Sequence, residues 1–99
     1  MATVREVSYE EVASRSRHRK GWSLSFGGNK SLDIFLEVES PNLPEGTRLF
    51  DFLVDIQNSR LPAGLHAIKA LDEDRFFRIT CDVDRKQESI LFARSLFQK

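Results

Sequence analysis

Trp22-Ser23-Leu24-Ser25-Phe26-Gly27-Gly28-Asn29-Lys30-Ser31-Leu32-Asp33-Ile34-Phe35-Leu36-Glu37-Val38-Glu39-Ser40 is the stretch that decides the fold class. Trp22, Leu24 and Phe26 alternate with Ser23 and Ser25. Leu32, Ile34, Leu36 and Val38 then share a face, with Asp33, Glu37 and Glu39 opposite. Period-two alternation on both sides of a glycine-rich break predicts a β-hairpin with one wet face. Gly27, Gly28 and Asn29 supply the positive φ that tight hairpin turns need. The same run lacks the Gly-x-x-x-x-Gly-Lys-Ser/Thr spacing of a phosphate loop.

Upstream, Val7-Ser8-Tyr9-Glu10-Glu11-Val12 predicts a helix start. Ser8 and Glu11 stand at the two positions of a capping box, and Val7 and Val12 at those of a hydrophobic staple. The helix is expected to run to about Arg19 and stop at Gly21, with Arg15, Arg17, Arg19 and Lys20 at the negative end of its dipole. Tyr9, Val12 and Ala13 form a thin apolar face, which places this helix on the surface.

Downstream, Pro41 and Pro44 end the second strand. A helix starting at Glu45 or Thr47 and reaching about Asn58 carries the stripe Leu49, Phe50, Leu53, Val54 and Ile56, with Phe52 at its edge. Pro62 and Gly64 break it. Leu65 to Leu71 suits a strand or a helical turn, and Asp72-Glu73-Asp74, which reads as a turn into a further strand, favours the strand. Arg75 to Val83 is that strand, with Phe77, Ile79, Cys81 and Val83 inward and Phe76, Arg78 and Thr80 outward. Asp84 and Gln87 are then the expected caps of a last helix, buried through Ile90, Ala93, Leu96 and Phe97.

The expected order is a helix followed by two β-β-α units. Laid edge to edge, the units give an α+β fold: a four-stranded antiparallel sheet with two helices packed on one face and an N-terminal helix beside it. At 99 residues the chain is expected to form one domain over 1–99.

Composition that is 40% hydrophobic and 30% charged is that of a folded globular domain. Apolar runs are too short to span a bilayer, so no membrane partner is expected. Arg5, Glu6, Glu10 and Glu11 replace the apolar core of a signal peptide, and Cys81 has no second cysteine to pair with. Both features lead to the expectation of a cytoplasmic protein. The net charge of zero conceals a division: +3 over residues 1–30, −5 over 31–59 and +2 over 60–99. Such a dipolar chain can steer a partner or a second copy of itself.

Two sites stand out. On the second sheet face, Phe35 and Phe76 are large apolar residues out of phase with the core pattern. With Arg78 at the centre and Asp33 and Glu37 at the rim, they form the expected protein-contact surface. The other candidate is the basic run Arg15, Arg17, Arg19 and Lys20 beside Trp22, which has the residue types that bind phosphate and stack a base. A helix C-terminus repels anions, and the rest of the chain is not basic, so a solvated helix end accounts for the run better.

Catalysis finds little support. Cys81 is in phase with a core strand, and His18 and His66 are 48 positions apart. Asp72, Glu73, Asp74, Asp82 and Asp84 do not match a calcium-loop spacing, so neither a metal nor a cofactor is expected. The sequence therefore favours a non-enzymatic protein–protein interaction domain of adaptor, inhibitor or chaperone-like type, acting on another protein or as a homodimer. The alternative is a nucleic-acid or nucleotide-binding module using residues 15–20 and Trp22.

Overall fold

The computed structural model describes residues 2–15, 31–39, 43–72 and 74–98. The elements follow in the order β1 (Thr3–Val7), α1 (Tyr9–Arg15), β2 (Ser31–Glu39), α2 (Leu49–Asn58), β3 (Leu65–Ala70), β4 (Phe76–Asp82) and α3 (Lys86–Phe97). The strands form one four-stranded sheet in the order β1-β2-β4-β3, and every neighbouring pair is antiparallel. The α+β class and the four-stranded antiparallel sheet match the expectation from sequence.

The composition of the sheet differs from that expectation in one strand. Its fourth strand is Thr3–Val7, paired with β2 from Thr3 opposite Glu39 to Val7 opposite Phe35. Trp22–Phe26, expected to fill that role, lies outside the described residues, as does the turn Gly27–Lys30. Thr3-Val4-Arg5-Glu6-Val7 shows no alternation because its two valines face opposite ways. Val4 joins the main core, while Val7 joins a second cluster on the other side of the sheet. The chain then turns into α1 at Ser8, whose Oγ accepts the Glu11 N–H at 3.1 Å, half of the expected capping box.

The main core lies between the sheet and the two helices α2 and α3. Ile34, Leu36 and Val38 of β2 and Phe77, Ile79 and Cys81 of β4 meet Leu49 and Leu53 of α2 and Ile90, Ala93 and Phe97 of α3. The ring centroids of Phe52 and Phe97 lie 5.4 Å apart, joining the two helices, and those of Phe97 and Phe77 lie 5.6 Å apart, joining α3 to the sheet. Lys86 Nζ reaches Glu6 Oε2 at 3.0 Å and ties α3 to β1.

Helix ends and strand faces depart from expectation in identifiable ways. Arg48 and Arg85 occupy the N-cap positions of α2 and α3, without a side-chain cap bond, in place of Thr47 or Glu45 and of Asp84. Ser89 Oγ donates to the Arg85 carbonyl at 2.9 Å, which satisfies a polar side chain buried in the first turn of α3. A bulge between Leu65 and Ala67 resets the alternation of β3, so that Leu65 and Ile68 both reach the core. Gly64, with φ near 88°, makes the turn that precedes β3. β4 ends at Asp82, which leaves Val83 in a turn and exposed rather than inward.

Candidate protein-contact site

Helix α1 lies over the second sheet face at Phe35, Glu37 and Phe76. Val7, Val12, Phe35, Leu71 and Phe76 form a small apolar cluster there, separate from the main core. Phe35 is 7% exposed and Phe76 fully buried, so neither is the open contact expected from sequence. The correction has a simple cause. Two large side chains out of phase with one core are in phase with another when a helix lies over the far face. Tyr9 of α1 stacks at a tilt on Phe35, with centroids 5.8 Å apart. Arg15 sets its guanidinium carbon 5.2 Å from the centroid of the Phe76 ring.

Glu37, expected at a solvated rim, is 1% exposed. A carboxylate removed from water must be paired and hydrogen-bonded. Arg5, its direct cross-strand neighbour, donates Nη2 to Glu37 Oε1 at 2.5 Å. Arg15 forks onto the same carboxylate, with Nη2 to Oε2 at 2.7 Å and Nη1 to Oε1 at 3.1 Å. Arg75 Nε lies 3.8 Å from Oε2. Glu11 of α1 closes the network, its Oε2 accepting from Arg5 and from Arg15 at 2.6 Å each. Those bonds, from Arg5 first and then Arg15, hold the Glu11 carboxyl below its usual range. The bond to Glu37, and next the bond to Glu11, raise the Arg15 guanidinium further above its ordinary value. Three guanidinium groups and two carboxylates thus meet where β1, α1, β2 and β4 converge.

The other expected residues of this face are partly covered. Thr80 Oγ1 donates to Asp33 Oδ1 at 2.8 Å across β2 and β4. Arg78 is half-buried between Phe35 on one neighbouring strand and Lys69 on the other. Of the basic run, Arg15 is turned inward to Glu37. Arg17, Arg19, Lys20 and Trp22 lie outside the described residues.

The groups considered for chemistry are engaged elsewhere. Cys81 is fully buried in the main core. His66 Nε2 and Asp82 Oδ1 make an exposed contact at 2.6 Å. Asp72 Oδ1 accepts the backbone N–H groups of Asp74, Arg75 and Phe76 at 3.3, 2.8 and 2.9 Å, which makes it the organiser of the β3–β4 turn. Among the described residues, no group of three or more His, Cys, Asp or Glu side chains is placed to hold a metal ion. No described helix is long and apolar enough to cross a membrane.

Among the described residues, the large apolar side chains left exposed are Tyr9, Val83, Leu91 and, together on the outer flank of α2, Phe50 and Val54. Leu49 and Leu53 are buried, and Phe52 and Ile56 lean toward the core. Phe50 and Val54, one turn apart, are 48% and 38% exposed. Sequence reading placed both in the buried stripe. Their positions on the helix lie about 100° round from Leu49 and Leu53, a signal that helical geometry alone contains. Gln57 follows on the same flank, and its Oε1 accepts the Ile68 N–H of edge strand β3 at 2.8 Å. Asp51 and Asp55 are exposed on the adjacent side of the helix. Comparisons with protein-family models, with curated proteins and with solved structures each find no match.

Proposed function

We propose that this chain is a non-enzymatic protein-interaction domain whose contact surface is the outer flank of α2. The observation that carries the reading is the pair Phe50 and Val54, two large apolar side chains left in water on a helix whose other face is fully used by the core. An exposed aromatic beside an aliphatic residue, rimmed by charge, is the composition of an anchor site on a protein surface. Asp55 and Asp51 beside it, the latter paired with Arg48 at 3.3 Å, favour a partner that presents an apolar side chain flanked by Lys or Arg.

The test uses the full chain as bait in extracts of its source cell, beside a Phe50→Ser/Val54→Ser variant. Both side chains are substantially exposed, so the variant is expected to keep the fold, which an unchanged unfolding midpoint would verify. Partners held by the parent and lost by the variant support the reading. Equal retention by the two proteins rejects it.

A further inference from the structure

We infer that α1 is a cover that opens from the sheet as a unit, with the ion network around Glu37 as its latch. This goes beyond the proposed function, since it concerns the opposite face of the sheet. Helix α1 has seven residues, and Val12 is the one it buries. A helix that short has no stability of its own in water. Tyr9 lies against Phe35 but remains more than a third exposed. Polar ties of the helix to the body run through Glu11 and Arg15: the bonds to Arg5 and Glu37, with Arg15 also placed over Phe76.

What lies beneath does not need the helix. β2 pairs with β1 and β4, and β4 with β3, through backbone ladders in which α1 takes no part. The main core sits on the opposite face against α2 and α3. Lifting α1 breaks no ladder and empties no part of that core. It takes Tyr9 off Phe35 and Arg15 off Phe76 and off the Glu37 carboxylate, which stays between Arg5 and Arg75. Burial makes that carboxylate costly to leave unpaired, so the loss of Arg15 has a direct effect on the closed state.

Native-state amide hydrogen exchange on the full chain tests the inference, comparing the parent with Arg15→Gln. The expected result is that in the parent the amides of Val12 to Arg15 are at least about tenfold less protected than those of Ile34, Leu36 and Ile79, and that Arg15→Gln speeds their exchange at least about tenfold. Glu37→Gln, which undoes the latch from the sheet side, is expected to give the same acceleration of the α1 amides. If the α1 amides of the parent are as protected as those of Ile34, Leu36 and Ile79, the helix is lost only with the whole fold and the inference is wrong. Unchanged α1 amides in both variants would equally overturn it, because the network would then not be what holds the helix.

Discussion

Arg15 Nη2 donates to Glu37 Oε2 at 2.7 Å, joining the last residue of α1 to a carboxylate buried in the central strand. The bond fixes which face of β2 the helix covers and accounts for a charge at the centre of a sheet. The two residues should couple energetically. In a double-mutant cycle with Arg15→Gln and Glu37→Gln, an interaction energy of about 1–3 kcal/mol is expected from urea unfolding. A coupling near zero would mean that Arg5 and Arg75 satisfy Glu37 without Arg15.

Glu11 gives the network a pH signature. Its folded-state carboxyl is held below the ordinary value of 4.5 by Arg5 and then Arg15. A depressed acid contributes stability that is present above its unfolded pKa and lost as pH falls through the folded one. Parent and Glu11→Gln should therefore differ most near neutral pH, and their unfolding midpoints should converge in the acid range below about 4.5. A difference that persists unchanged into strong acid would contradict this.

Gly64 has a φ near 88°, and a Cβ there would come within 2.7 Å of Arg85 Cγ. Gly64→Ala is expected to cost about 1–2 kcal/mol, chiefly from the backbone, since the Arg85 side chain can move aside. Thermal unfolding of the variant measures it.

Gln57 protects an edge. Its side-chain oxygen takes the Ile68 N–H that would otherwise be open to an added strand. Gln57→Ala should lose about 1–2 kcal/mol and speed exchange of the Ile68 amide. Protection unchanged at Ile68 would show that the bond is not maintained in solution.

Much of this architecture was legible where burial follows a simple period. Leu32 to Val38 and Phe77 to Cys81 alternate against one core, so β2 and β4 could be read directly, and Ser8 marked the start of α1. The legible part ends where one residue answers to two environments. Val4 and Val7 sit on opposite faces of a short edge strand, so β1 carries no alternating pattern. Phe35 and Phe76 read as an open surface because nothing local in the sequence says that α1 folds back over them. Glu37 reads as solvated because its partners Arg5, Arg15 and Arg75 come from β1, α1 and the turn before β4. Phe50 and Val54 read as core because a wide apolar stripe was assigned to a helix that buries a narrower one.

The central claim is that the flank of α2 contacts another protein, and site-specific photo-cross-linking in the source cell tests it most directly. A photoreactive side chain at Phe50 is compared with one at Leu91, an exposed apolar position on α3. The account predicts discrete adducts from position 50 and none of comparable yield from position 91. No adduct at position 50, or the same adducts at both positions, would contradict it.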